Sequence, residues 1–175
     1  MHILDIVENS IAAKAKKVEI TITEDLKQDL FLIEIKDNGI GMDNNSLNRV
    51  LDPFYTTKTT RQFGLGLPLL SEAAKAANGK LIINSNKKKG TIINAQFQHS
   101  HIDRKPIGNM SDTLLSLVIG NPEIDFVYIH KKNGNKYTFD TKKIKTLLKG
   151  KSINSPEGIR TIREILKKEK KLIGG

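Results

Sequence analysis

Hydrophobic positions along the chain fall into two periods, and each stretch of constant period predicts one element. Ile3, Val7 and Ile11 recur every four residues with Ile6, Ser10 and Ala13 beside them, the spacing of one helical face. A helix is therefore predicted over residues 2–17, with Lys14, Lys16 and Lys17 near the end where the helix dipole favours cations. The period then drops to two. Val18, Ile20 and Ile22 alternate with Glu19, Thr21 and Thr23; after a polar turn over residues 24–29, Phe31, Ile33 and Ile35 alternate with Leu32, Glu34 and Lys36. Asp37 continues the apolar face of the second strand, so a carboxylate is aimed inward at a strand end.

Gly39 and Gly41 interrupt the pattern, a short helix is predicted near residues 46–51, and residues 52–63 read as a loop with Pro53 and several threonines. Helical spacing resumes over 65–77, where Pro68 is tolerated in the first turn and Asn78-Gly79 supplies a stop. Residues 81–84 and 91–98 read as a hairpin with Ile93, Ala95 and Phe97 on one face. The order helix, two strands, helix, two strands predicts an α+β fold, a two-layer α/β sandwich with helices on one face of the sheet. Residues 99–109 read as a linker. Beyond them the pattern predicts a helix from an N-cap at Ser111 to about Ile119, strands over 124–131 and 136–140 around the turn Asn133-Gly134, and helices over 141–148 and 156–172. The expected organisation is a domain over residues 1–103 followed by a small α+β C-terminal extension over 104–175.

Charge sharpens that division. The 175 residues carry a formal net charge of +10, which taken whole invites a nucleic-acid reading. Residues 1–103 hold 13 Lys and Arg against 12 Asp and Glu, whereas 104–175 hold 16 against 7, so the basic character belongs to the extension. Its aromatic residues Phe126, Tyr128, Tyr137 and Phe139 all fall on predicted strands, where packing rather than stacking on bases is expected. A solvated surface and a protein-docking surface therefore rank ahead of nucleic acid. The absence of cysteine excludes disulfides, thiolate metal sites and cysteine catalysis. No apolar run approaches the roughly 20 residues of a membrane span, and the N-terminus lacks the basic-then-apolar layout of a signal peptide. A cytoplasmic protein without a membrane partner is expected.

Four segments hold the candidate chemistry. Asp5 and Asn9 are four apart and share a helical face, where a carboxylate could accept a proton and an amide oxygen could ligate Mg²⁺. Alternatively, they are solvated polar residues near a helix start. In Asp37-Asn38-Gly39-Ile40-Gly41-Met42 the carboxylate could accept from an exocyclic amine, and the glycines could let backbone approach a flat ring; the other reading is a glycine-containing turn. Residues 52–58, Asp-Pro-Phe-Tyr-Thr-Thr-Lys, end in Lys58, which could reach a terminal phosphate. Phe63-Gly64-Leu65-Gly66-Leu67 opens a helix whose free N–H groups could meet phosphates, although neither the dinucleotide fingerprint nor a Walker loop is present.

Taken in order, these segments resemble the boxes of the Bergerat-fold (GHKL) ATP-binding domain, whose family includes DNA gyrase, heat-shock chaperones, sensor histidine kinases and mismatch-repair ATPases. The resemblance covers about residues 1–98. LDIVENSIAA is similar to the asparagine box, DNGIGM to the first glycine box, LDPFYTTK to the box ahead of the lid and FGLGL to the second glycine box, with Gly90-Thr91 as the late glycine-threonine pair. PFYTTK followed by GLGL is closest to histidine kinases, whereas VENS is reminiscent of the mismatch-repair branch. The resemblance implies ATP and Mg²⁺ as cofactors. It also implies that Asn9 ligates Mg²⁺, Asp37 binds the adenine amine, Gly39 and Gly41 line the purine, and Lys58 contacts phosphate. Gly64, Leu65 and Gly66 would close over the phosphates, and Thr91 would support Asp37 through water.

Departures from the family pattern shape the functional expectation. Hydrolysing members carry glutamate as general base where this chain has Asp5, which is one methylene shorter. Family members usually also have a helix and strand material ahead of the asparagine box, so the exposed sheet edge needs a cover, and the hairpin within 124–140 with its helices is expected to dock there. No phosphoacceptor hairpin is recognised, and His2, His99, His101 and His130 read as surface or packing residues. The expected function is a Mg-ATP-binding, histidine-kinase-like protein that transfers the γ-phosphate to a separate partner or hydrolyses ATP slowly, with Asp5 and Lys58 catalytic. The alternative is a nucleotide-gated binding module without turnover; a homodimer stays open.

Overall fold

The computed structural model describes residues 3–51 and 66–173. The chain opens with helix α1 (Ile3–Ala12), which buries Ile3, Ile6, Val7 and Ser10. It stops five residues before the periodicity predicts, because Lys14 takes a left-handed φ of 60° and Asn38 Oδ1 accepts the N–H groups of both Lys16 and Lys17 at 2.8 Å. A side chain 21 residues downstream thus turns the end of the apolar stripe into the start of a strand.

Strands β1 (Lys17–Asp25) and β2 (Leu30–Asp37) pair antiparallel, with Val18, Ile20, Ile22, Phe31, Ile33, Ile35 and Asp37 all buried. Asp43 caps helix α2 (Asn44–Arg49) by accepting from Ser46 N–H at 2.9 Å, a bond that also holds its carboxyl below the usual range. Helix α3 (Gly66–Ala76) leads into β3 (Lys80–Asn86) and β4 (Gly90–Gln98), an antiparallel hairpin whose second strand pairs with β2. Asn109, rather than the predicted Ser111, caps helix α4 (Met110–Gly120), its Oδ1 accepting from Asp112 N–H. The next pair, β5 (Asp125–Lys132) and β6 (Asn135–Asp140), turns at Asn133 and Gly134, both at positive φ as a tight hairpin requires. Helices α5 (Thr141–Leu147) and α6 (Pro156–Ile173) follow.

The six strands among the described residues join one sheet in the order β3-β4-β2-β1-β5-β6. β5 lies parallel to β1, with Lys17 opposite Asp125 and Ile22 opposite His130, so the hairpin continues the sheet where β1 would otherwise be an edge. Helices α1 and α3 pack on β2, β3 and β4, while α5 and α6 pack on β5 and β6, with α4 against α6. The sheet's inward side chains and the helices form one core that runs from Ile3 and Phe97 to Phe126, Phe139 and Ile162. The opposite sheet face carries half-exposed polar residues such as Glu19, Thr21, Thr23 and Glu34. This is the mixed two-layer α/β sandwich. Residues 99–109, read as a linker, lie against it: Arg104 donates to His99 O at 2.6 Å and sits 4.8 Å above the Phe31 ring.

Candidate functional site

Those sequence-predicted residues that the structure describes gather around the place where β2 ends beneath α1. Asp37 pairs with Val18 on one side and Thr91 on the other, which fixes its carboxylate on the inner sheet face. It is only 6% exposed. Ser10 Oγ donates to its Oδ2 at 2.9 Å and Gly39 N–H donates to its Oδ1 at 2.8 Å. A carboxylate accepts up to about four hydrogen bonds, so lone pairs remain for a further donor.

The β2–α2 loop is stitched to both of its neighbours. Ile40 N–H donates to Ala13 O at the end of α1, and Ile40 O accepts from Lys88 N–H in the β3–β4 turn. Met42 N–H donates to Ser85 Oγ, which stands 2.9 Å from Thr91 Oγ1 and also bonds Gly90 O. Gly41 has a φ of +66°, and a Cβ there would lie 2.0 Å from Asn86 O. Close approach of the chain's own backbone therefore already requires glycine, before any ring is considered.

On α1, Asp5 is exposed and Asn9 half-buried. A Cβ on Gly66 would lie 2.9 Å from the Asp5 Cβ, so the start of α3 is pressed against the first turn of α1. Asp5 and Ser10 are five residues apart, about 7.5 Å along the helix axis. α1 thus spans from the start of α3 to the Asp37 corner. Asp37, Gly39, Gly41 and Thr91 stand at one end of the sheet, and α1 links them through Asn9 to Asp5 and Gly66. Lys58, Gly64, Leu65 and the loop over 52–63 lie outside the described residues.

Ser10, Asn38 and Ser85 hold this corner together, yet the sequence reading gave them no role. The signal for Ser10 was its place within an apolar stripe, since a hydroxyl on a buried face needs a partner. The described residues include no group of three or more His, Cys, Asp or Glu able to hold a metal. The amide oxygen of Asn9 suits a cation bound largely through phosphate oxygens and water, the usual manner of Mg²⁺. No described helix is long and apolar enough to cross a membrane.

Comparison with known proteins places this corner in a family. Residues 2–101 match the family described as histidine kinase-, DNA gyrase B-, and HSP90-like ATPase. Sporulation kinase E of Bacillus subtilis is 38% identical over 90 residues, which are 51% of this chain and 12% of that protein. Sensor histidine kinase YxdK of the same organism is 32% identical over 90 residues, 49% of this chain and 27% of that protein. The chain thus spans only a small part of the length of these relatives. A crystal structure of the N-terminal domain of a DNA repair protein superimposes with a TM-score of 0.58 at 18% identity, covering 91% of this chain and 57% of that one. That likeness is one of fold, and it reaches well past residue 101 into the segment that adds β5 and β6.

Proposed function

The chain belongs to the family of histidine kinase-, DNA gyrase B- and HSP90-like ATPases and carries its ATP-binding, kinase-like module; from that premise we propose that it binds Mg-ATP beside Asp37 and passes the γ-phosphate to a separate partner protein. The observation that supports this best is the buried Asp37 carboxylate, oriented by Ser10 and Gly39 with acceptor capacity to spare.

In this reading Asp37 accepts the adenine amine, while Gly39 and Gly41 form the floor beside the ring. Ser85 and Thr91 fix the β3–β4 side of the corner, with Thr91 supporting Asp37 through water. Asn9 offers its amide oxygen to the cation. The Mg²⁺ that Asn9 would help to hold would supply positive charge against the phosphates. Lys58 offsets charge developing on the transferred group, and Gly64, Leu65 and Gly66 present backbone N–H groups to the phosphates. Asp5, at the exposed end of α1, orients the partner's nucleophile, which attacks the γ-phosphorus as the bond to ADP breaks. Catalysis is then mostly positioning and charge stabilisation, as phosphoryl transfer requires.

The short carboxylate at Asp5 favours a second reading, a module in which bound ATP changes partner affinity without turnover. Incubating the full chain with γ-labelled ATP, Mg²⁺ and cell extract separates the two. Label on a protein, lost in Asn9→Ala, is expected; tight ATP binding with label neither on protein nor as free phosphate would leave only the gated module.

A further inference from the structure

At the far end of β1 from Asp37 lies a second buried polar cluster, which the ATP reading does not use. His130 on β5 is 7% exposed and is enclosed by two carboxylates. Its Nε2 is 2.8 Å from Glu24 Oε1 on β1, and its Nδ1 is 2.9 Å from Glu169 Oε1 on α6. Tyr128 donates to the same Glu169 oxygen at 2.6 Å, and His99 Nε2 is 3.0 Å from Glu24 Oε2. Tyr137 on β6 holds α6 as well, its hydroxyl donating to Ile165 O at 2.9 Å.

Both ring nitrogens of His130 therefore face carboxylate oxygens. A neutral imidazole has one N–H, so its second nitrogen would set a lone pair against an anion in a buried place. The Tyr128 hydroxyl also stands 3.2 Å from Nδ1, but its single proton goes to Glu169; with both carboxylates ionised, only the doubly protonated ring satisfies both contacts. We propose that Glu24, His130 and Glu169 form a proton-operated latch that holds α6 to the β1–β5 seam while His130 is charged and loosens when the proton leaves.

The groups around the ring agree on direction. Burial alone would push His130 down, but the hydrogen bonds to Glu169 and Glu24, with the charges of both, outweigh it and hold it above its ordinary value. Burial likewise works to raise Glu24, and its bonds to His99 and His130 more than reverse this, with a smaller contribution from Lys132 on β5. Burial and the Glu169 charge push Tyr128 and Tyr137 far up, so both remain neutral donors. A histidine raised on folding contributes stability that is fully present below its unfolded value of about 6.5 and is lost as pH rises through its folded value. A depressed glutamate contributes stability present above its unfolded value of about 4.5 and lost as pH falls through its folded value. The latch is thus closed in mildly acidic solution up to about the unfolded value of histidine and opens as pH rises through the folded value of His130.

The test uses the full chain. Nitrogen-15 chemical shifts of the His130 ring, followed from pH 5 to 9, should show both nitrogens protonated at pH 6.5 and a midpoint above that. Amide exchange along α6, corrected for intrinsic rates, should show opening that grows by up to about tenfold per pH unit between pH 6.5 and that midpoint. Glu169→Gln should flatten this dependence. A neutral His130 ring at pH 6.5, or α6 protection that is constant from pH 6 to 9, overturns the latch. The wild-type titration decides the matter even if the variant does not fold.

Discussion

The two ends of β1 adjoin carboxylates in opposite conditions. At the Asp37 end, each carboxylate oxygen takes one neutral donor among the described residues, a serine hydroxyl or a backbone N–H, which leaves acceptor capacity over. At the Glu24 end, Glu24 is held between His99 and His130, and one oxygen of Glu169 serves both His130 and Tyr128. The two ends lie about 20 Å apart along one strand at roughly 3.3 Å per residue. What distinguishes a binding site from a structural clamp here is whether the fold has already spent the lone pairs. Neutral partners orient a carboxylate without consuming its affinity for a ligand. Charged partners close it to ligands and make it sensitive to pH.

This contrast can be broken from either end. The largest effect is expected at the clamp. His130→Leu removes the cation between buried Glu169 and half-buried Glu24 and should cost about 3–5 kcal/mol in urea unfolding, while ATP affinity stays at the wild-type value in the folded protein. A loss below about 1 kcal/mol would mean that Glu24 and Glu169 tolerate each other, and that the ring was packing rather than pairing. A smaller effect is expected at the site. Ser10→Ala leaves Asp37 with the Gly39 N–H and should weaken ATP binding by about 0.5–1.5 kcal/mol, roughly 2- to 12-fold, with stability lowered by a similar amount. Unfolding that loses stability while ATP affinity is unchanged would place Ser10 in the packing alone.

Much of the site end was legible in the sequence. Strict alternation through Phe31, Ile33 and Ile35 put Asp37 on the inner face, and the four-residue spacing put Asp5 and Asn9 on one helical face. Both are local patterns, and the structure keeps them. What the pattern could not contain is long-range pairing. The α1 stop depends on Asn38 reaching back to Lys16 and Lys17, and the Asn109 cap superseded the equally plausible Ser111 because only the tertiary path decides where the first turn begins. The clamp is still less local. Glu24, His130 and Glu169 meet through a parallel pairing of β1 with β5 and a helix laid over it. In the sequence His130 was merely a polar residue in strand period. The glycines were read for close approach of backbone, and at Gly41 the backbone of Asn86 does come close.

The central claim is that Asp37, and not merely the fold around it, holds the nucleotide. Isothermal titration of the full chain with ATP in excess Mg²⁺, wild type against Asp37→Ala, tests it most directly. Loss of a hydrogen bond to a charged acceptor, about 1.5–3 kcal/mol, predicts affinity weaker by roughly 10- to 150-fold in a variant that still unfolds cooperatively. Equal affinity in the two proteins would contradict the account and put the adenine elsewhere on the sheet.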